Sequence, residues 1–129
     1  MTVVAAALID TEGRVLLQQR GPGRSMAGLW EFPGGKVEAG ELPEAALTRE
    51  LKEELGIDTD AAHLVPATFA SADVPGRHMI LLLYACREWH GEPRPLDAAG
   101  LQWVHPREMP DLPIPPADKP LIGLLAAII

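Results

Sequence analysis

The sequence has little of what would place the protein in an oxidising compartment or in a membrane. Its single cysteine, Cys86, cannot form an internal disulfide, and its position in the apolar run 79–86 predicts a buried thiol. The N-terminus lacks a basic segment and reaches Asp10 early, so we predict no signal peptide. The apolar segment 121–129 is too short to span a bilayer. We therefore expect a cytoplasmic protein without membrane contact.

Basic residues are also scarce. Lys and Arg together number 11 against 18 Asp and Glu, which gives a formal net charge of −7. This charge, without a basic stripe or an aromatic ladder, excludes a nucleic acid polymer as the expected partner. A small anionic substrate can still bind where metal ions and a few Lys or Arg residues reverse the local field.

The composition is that of one soluble globular domain over residues 1–129, with 47% hydrophobic and 22% charged residues. Apolar segments between Gly- and Pro-containing turns predict strands at 2–9, 14–19, 63–71, 78–87 and 101–105. A final apolar helix is predicted from about residue 116 to the C-terminus, buried in the core. Together with a helix in the middle of the chain, this order predicts an α/β fold with a mixed sheet between helices, an α/β/α sandwich.

The middle helix is delimited by the sequence at both ends. Pro43 suits the first turn, where its missing N–H is no loss, and Gly56 suits the position just past the last turn. Between them, Leu47, Leu51 and Leu55 recur at helical spacing and form one apolar stripe. We expect this stripe to face the core.

Three glutamates, Glu50, Glu53 and Glu54, fall on a neighbouring face of this helix within an arc of roughly 100°. Because like charges repel and no lysine shares that face, a divalent cation explains the cluster best. Oxygen ligands alone favour Mg²⁺, or Mn²⁺, over zinc. The alternative is a solvated acidic face on an amphipathic helix.

The loop before the helix favours the metal interpretation. Its sequence is Phe32-Pro33-Gly34-Gly35-Lys36. The two glycines can expose carbonyl groups to a metal ion or let a phosphate approach closely. Lys36 adds a positive charge for phosphate.

Residues 35–57 match the motif G-x5-E-x7-R-E-U-x-E-E-x-G-U at every defined position, where U is a bulky aliphatic residue. In this motif the chain resembles the Nudix hydrolases. The segment LWEFPGGKVE at 29–38 resembles the MutT-type nucleoside triphosphate pyrophosphatases of that family. An AGLWEF segment and a late Pro-Ala-Asp are also similar to the bacterial CTP pyrophosphohydrolases. The resemblance covers essentially the whole chain and implies the Nudix fold.

The resemblance implies metal-dependent attack of water on a nucleoside triphosphate, which yields the monophosphate and pyrophosphate. It implies that the metal ligands are Glu50, Glu53, Glu54 and the carbonyl oxygen of Gly34. Arg49 would orient the glutamates through charge-assisted hydrogen bonds. Glu50 and Glu53 are both candidates for the general base.

Two further carboxylates are weighed through the resemblance. Glu41 belongs to the motif, and we expect it to have a structural role. Asp97 stands six residues before Trp103, where similar enzymes carry a loop carboxylate that contributes to catalysis. A solvated turn residue is the alternative interpretation of Asp97.

Four residues are predicted to contact the substrate: Arg20, Lys36, Arg77 and Asp118. The resemblance implies this role for Arg20, whose position contacts nucleotide in similar enzymes, and a surface role is its alternative. Asp118 stands where enzymes of this type that select 8-oxo-guanine carry an asparagine, and its alternative role is a helix cap. Its ionised carboxylate could accept hydrogen bonds from the N1–H and N2–H₂ groups of a guanine or from the N4–H₂ group of cytosine.

The residues and the resemblance together indicate the substrate and the class of protein. We predict a monomeric Mg²⁺-dependent enzyme that removes 8-oxo-dGTP or dGTP-type nucleotides from the nucleotide pool. The alternatives are a pyrophosphohydrolase for CTP or 5-methyl-dCTP, a hydrolase of diphosphate compounds such as ADP-ribose, and a Nudix domain that binds nucleotides without catalysis.

Overall fold

The computed structural model describes all of residues 1–129. Seven strands and two helices follow one another along the chain, with short 3₁₀ segments at Ala61–His63 and Pro106–Asp111. They are β1 (Thr2–Leu8), β2 (Val15–Gln19), β3 (Trp30–Glu31), β4 (Gly34–Lys36), α1 (Pro43–Leu55), β5 (Val65–Val74), β6 (Arg77–Cys86), β7 (Gly100–Val104) and α2 (Lys119–Ile128). Neither helix has the length and apolarity needed to cross a bilayer.

The strands form two sheets. The larger sheet has the order β4-β1-β6-β5, in which β1 and β6 are parallel and the other pairs are antiparallel. The smaller sheet has the order β3-β2-β7 and is antiparallel. A bridge between Ile9 and Val15 links the end of β1 to the start of β2, so both sheets share the turn at 10–14.

Strand β1 lies between β4 and β6 in the larger sheet, and both of its faces are buried. Its alternate side chains enter two separate apolar clusters, as a period of two residues requires. The cluster on the α1 side contains Val4, Ala6 and Leu8, and the cluster on the α2 side contains Ala5, Ala7 and Ile9. The predicted α/β/α sandwich is therefore confirmed.

Helix α1 has the boundaries that the sequence predicts. It begins at Pro43, and Gly56 follows its end with a positive φ of 72° that favours glycine. The Gly56 N–H donates to the carbonyl of Lys52 over 3.0 Å and closes the last turn. The predicted leucine stripe is fully buried against β1 and β6, and its members are Leu47, Leu51 and Leu55.

The last helix differs from its prediction in two respects. It begins at Lys119 rather than near residue 116, because the Asp118 N–H first closes a turn on the carbonyl of Pro115 over 3.0 Å. It also buries only one face, since Leu124 and Ile128 are exposed. The helix contributes to the core as predicted, but only through Leu121, Ile122 and Leu125.

Two short strands escaped the sequence analysis. Strands β3 and β4 have two and three residues, and each exists because a longer strand pairs with it. Strand β5 also runs further than predicted, to Val74, before a tight turn at Pro75 and Gly76 leads into β6. It forms one edge of the larger sheet, and Phe69 in its middle is 62% exposed.

Replacement of Leu51 by alanine tests the role of the leucine stripe. The side chain is fully buried, so we expect Leu51→Ala to lower the free energy of unfolding by roughly 2–4 kcal/mol. Leu42→Ala is the control, because Leu42 is 71% exposed at the start of the same helix and should change stability by less than about 0.5 kcal/mol. Denaturant unfolding in EDTA measures both, and equal losses would contradict the packing described here.

Candidate active site

Helix α1 presents the carboxylate of Glu54 to the backbone of strand β4. The N–H of Gly34 donates to Glu54 Oε2 over 3.0 Å, and Nε2 of Gln18 donates to the same oxygen over 3.2 Å. The leucine stripe fixes this approach, because it holds the helix against β1, which pairs with β4. The N–H of Gly34 thus contacts Glu54, which is one of the predicted metal ligands.

The two glycines of β4 leave room for two different neighbours, the Glu50 carboxylate at Gly35 and the β1 backbone at Gly34. A Cβ at Gly35 would lie 2.6 Å from each carboxylate oxygen of Glu50, and one at Gly34 would lie 2.7 Å from the Cα of Ala5. A side chain at Gly34 would push β4 away from β1, and one at Gly35 would displace the carboxylate of Glu50. Gly35 thus lets Glu50 lie directly against the β4 backbone, and Gly34 keeps β4 close to β1.

Arg49 connects the motif residues to one another. Its guanidinium binds both carboxylate oxygens of Glu41, at 2.9 Å each. Its Nη1 donates to Glu50 over 2.8 Å and to Glu53 over 3.5 Å, and its Nη2 donates to the carbonyl of Lys36 over 3.2 Å. Glu41 thus holds the arginine, as its expected structural role requires, and the arginine orients Glu50.

The three predicted ligand glutamates do not form one compact cluster. Glu50 and Glu54 face β4, whereas the side chain of Glu53 is 59% exposed and has only the long contact with Arg49. Accordingly, no three His, Cys, Asp or Glu side chains converge in an arrangement that would hold a metal ion as they stand. The structure brings two of the glutamates together and leaves the third at the rim.

The electrostatics of Glu54 fit a divalent cation. Loss of hydration raises the pKa of Glu54 to about 8, and the negative charge of Glu50 adds to the rise, while the N–H of Gly34 opposes it. Burial also raises the pKa of Glu50, against the influence of Arg49. In contrast, the hydrogen bonds from Arg49 lower the pKa of Glu41 to about 2. Glu54 has no basic partner and Glu50 has only Arg49, so these two carboxylates, as hard oxygen ligands, suit a divalent metal ion.

A second group of charged residues lies where strands β2 and β3 end. Nε of Arg20 donates to Glu31 over 2.7 Å. Burial raises the pKa of Asp118 to about 7; the charge of Glu31 adds to the rise, and Arg20 and the backbone of Phe32 oppose it. The Asp118 side chain makes no capping hydrogen bond to α2, so it does not serve as a helix cap. Arg20 and Asp118, both predicted to contact substrate, are thus neighbours.

Asp97 is engaged with a residue that the sequence analysis did not select. Its Oδ2 accepts a hydrogen bond from Arg24 over 2.7 Å, and both side chains are about half exposed. The loop that carries Asp97 is tied to β2 by the Ala99 N–H, which donates to the carbonyl of Gln19 over 2.9 Å. Arg24 thus occupies one carboxylate oxygen of Asp97, and the other oxygen, Oδ1, accepts no hydrogen bond within the protein.

The other two predicted substrate residues flank the N-terminal end of β1. Lys36 pairs with Val3 in the sheet, and Arg77 begins β6, three residues before the position that pairs with Thr2. Both side chains are exposed and neither forms a salt bridge. They are free to bind an anion.

The site also contains residues that the sequence analysis missed. Gln18 and Glu31 lie opposite each other in the β2–β3 pair, and Arg24 lies in the loop between those strands. A signal existed for Gln18, because it is a polar residue that continues an apolar strand. Glu31 directly precedes the Phe-Pro-Gly-Gly segment, but its partner Arg20 becomes apparent only in the fold.

Comparison with known proteins agrees with this geometry. The NUDIX domain family matches residues 1–125. The chain is 39% identical to the CTP pyrophosphohydrolase of Escherichia coli, over 99% of this chain and 93% of that protein. It is 40% identical to the 8-oxo-dGTP diphosphatase of Haemophilus influenzae, over 95% of this chain and 89% of that protein.

A solved structure extends the likeness to three dimensions. The solution structure of the E. coli ORF135 protein superposes with a TM-score of 0.87 and 38% identity, covering 98% of this chain and 89% of that chain. The complete motif at 35–57, the α/β/α sandwich and the carboxylates held against β4 all agree with these similarities. The chain belongs to the Nudix hydrolase family.

Proposed function

We propose that the protein hydrolyses a nucleoside triphosphate to the monophosphate and pyrophosphate, with Mg²⁺ as the metal ion. The observation that carries the proposal is the approach of Glu50 and Glu54 to the backbone of Gly34 and Gly35, where Arg49 is bound to Glu50 but no basic side chain contacts the largely desolvated carboxylate of Glu54. The relatives support the choice of substrate class, since they are named as a CTP pyrophosphohydrolase and an 8-oxo-dGTP diphosphatase.

The proposed metal ligands are Glu50, Glu53, Glu54 and the carbonyl oxygen of Gly34. Glu53 is exposed and bound only weakly by Arg49, so it can turn toward its two neighbours without disturbing the core. When bound, Mg²⁺ supplies charge neutralisation and a lowered pKa of water. Both contributions matter here because the substrate and the protein are negatively charged.

Proton transfer and phosphate binding are assigned to residues of the chain itself. One water attacks a phosphorus atom, its proton passes to a carboxylate, and the phosphoanhydride bond breaks so that pyrophosphate leaves. Glu50 and Glu53 are the candidates for the base, and both accept a hydrogen bond from Nη1 of Arg49. Lys36 and Arg77 have no carboxylate partner and are proposed to bind the phosphates.

The proposed base-recognition site consists of Asp118 with Arg20 and Glu31 beside it. A carboxyl group with a pKa of about 7 is present in both protonation states near neutral pH. The ionised form accepts from N1–H and N2–H₂ of a guanine-type base, which favours 8-oxo-dGTP or dGTP. The protonated form can accept from N4–H₂ of cytosine and donate to N3, and this favours CTP-type nucleotides as the second candidate. The proposed role is removal of such nucleotides from the pool.

Replacement of Glu53 by glutamine tests catalysis. The change removes a charge needed for the metal while keeping the shape, so we expect at least about a 10²-fold loss of kcat. Because Glu53 is exposed, the melting temperature in EDTA should not change. Lys52→Gln is the matched control, since Lys52 is adjacent and 60% exposed, and it should retain activity. Pyrophosphate release from nucleoside triphosphates, with and without Mg²⁺, is the measurement.

Three results would contradict the proposed reaction. Release of orthophosphate alone would show that a different phosphoanhydride bond is broken. Undiminished hydrolysis in EDTA would show that the reaction does not need a metal ion. An unchanged kcat in Glu53→Gln would remove Glu53 from the metal site.

The pKa of Asp118 predicts a pH-dependent base preference. As pH rises through about 7, the carboxyl loses the proton that it would donate to cytosine N3 and becomes the acceptor that guanine requires. We expect the ratio of kcat/KM for CTP to that for dGTP to fall at least about tenfold between pH 6 and pH 8. TTP and UTP, which lack an exocyclic amine, should be poor substrates throughout.

Asp118→Asn provides the control for this preference, because an amide does not titrate in the range. Its ratio of CTP to dGTP turnover should be flat with pH, and its requirement for metal should be unchanged. The pH dependence of the chemical step cancels in the ratio. A ratio in the native protein that does not vary with pH, or equal kcat/KM for TTP and dGTP, would remove Asp118 from base recognition.

A further inference from the structure

Gln18 is a polar residue at a buried position of strand β2 that would ordinarily carry an apolar side chain. Along β2, Val15 and Leu17 enter the cluster on the α2 side, and Leu16 enters the cluster on the α1 side. Gln18, two residues after Leu16, therefore points toward α1. It is 4% exposed and is the one polar residue among the 32 buried residues of the protein. A buried amide is costly unless its hydrogen bonds are made.

The contacts of Gln18 are directed at a single atom. Its Nε2 donates to Glu54 Oε2 over 3.2 Å, and the N–H of Gly34 donates to that same oxygen over 3.0 Å. The other oxygen of Glu54, Oε1, accepts no hydrogen bond from the protein. The Oε1 of Gln18 is itself buried without a partner. One carboxylate oxygen is thus pinned by two donors, while its twin stays available.

Core packing alone does not account for a glutamine at this position. Methionine or leucine would fill a similar volume without burying an amide, half of which has no partner. The hydrogen bond to a carboxylate is of the stronger, charge-assisted kind when Glu54 is ionised. The hydrogen bond to Glu54, which orients that carboxylate, is therefore the one contact that offsets the cost of burying the amide.

We propose that Gln18 is a positioning residue that, with the N–H of Gly34, fixes Oε2 of Glu54 and leaves Oε1 free to bind the divalent cation. The inference rests on the proposed function for the identity of the cation, but it concerns how the ligand is held rather than which reaction follows. Partners behind a metal ligand restrict its rotation, and their loss commonly weakens metal affinity by about 10- to 100-fold.

The test measures metal binding without substrate. Gln18→Met removes the donor and keeps a chain of similar length. We expect the dissociation constant for Mn²⁺, determined by the EPR signal of free Mn²⁺ on the full chain, to rise about 10- to 100-fold. The kcat should recover at saturating metal, and the melting temperature in EDTA should be unchanged or higher. This pattern separates orientation of a ligand from general damage to the fold.

Two further variants make the comparison decisive. Gln19→Met is the matched control, because the adjacent Gln19 donates to the carbonyl of Gly28 and does not contact Glu54; its Mn²⁺ affinity should stay within about twofold of the native value. Gln18→Asn keeps the amide but is one methylene shorter, so its nitrogen cannot reach Glu54. It should weaken Mn²⁺ binding as Gln18→Met does, and it serves in its place if the methionine variant does not fold.

Separate results decide the positioning role and the reaction. Native Mn²⁺ affinity in a folded Gln18→Met or Gln18→Asn protein would overturn the positioning role, whatever the enzyme hydrolyses. If the native protein binds Mn²⁺ but hydrolyses no nucleoside triphosphate, the proposed function fails, and the ratio of the dissociation constants still decides the role of Gln18. A native protein that does not bind Mn²⁺ would overturn both.

Discussion

The carboxylate of Glu50 can lie against strand β4 because Gly35 carries no side chain, and β4 can pair closely with β1 because Gly34 carries none. At that contact the carboxylate of Glu54 lies against a strand N–H, and the carboxylate of Glu50 fills the space that a Cβ at Gly35 would occupy. The leucine stripe packs the helix against β1, and Gly35 leaves space for the Glu50 carboxylate between the helix and β4. The two carboxylates that give the site its charge are held at this contact.

The pairing of charges around the contact determines which cations are left for a substrate. Arg20, Arg24 and Arg49 are each bound to a carboxylate within 3 Å. They organise the site and offer little net positive charge to an anion. Lys36 and Arg77 stand without such partners at one end of the larger sheet. An acidic protein thus keeps its phosphate-binding charge local and leaves the remaining attraction to a metal ion.

The sequence could predict the parts of the fold that depend on local spacing. The extent of helix α1 agrees with its prediction, because Pro43, Gly56 and the leucine period are local signals. The strands β3 and β4 could not be predicted, since pairs of two or three residues form only where a neighbouring strand is already in place. The late start of α2 depends likewise on a turn at Pro115.

The same distinction applies to the site. The motif identified Glu50, Glu53 and Glu54 but not their unequal burial, which depends on how the helix is rotated against β4. The partners of Arg20 and Asp97, which are Glu31 and Arg24, come from other segments of the chain. Contacts between segments distant in sequence depend on strand register, and a single sequence does not record it.

Strand β5 has a consequence for how the protein behaves at high concentration. It is a ten-residue strand at the edge of a sheet, so its outer backbone groups could pair with another chain, and Phe69 adds an exposed apolar side chain. Near its start, Pro66 lacks an N–H, and an irregularity in register follows before Thr68; near its end, Asp73 brings a charge. Pro66 and Asp73 thus disfavour edge-to-edge pairing at the two ends of the strand, and the stretch around Phe69 between them is where a second chain would meet unpaired backbone and an apolar side chain.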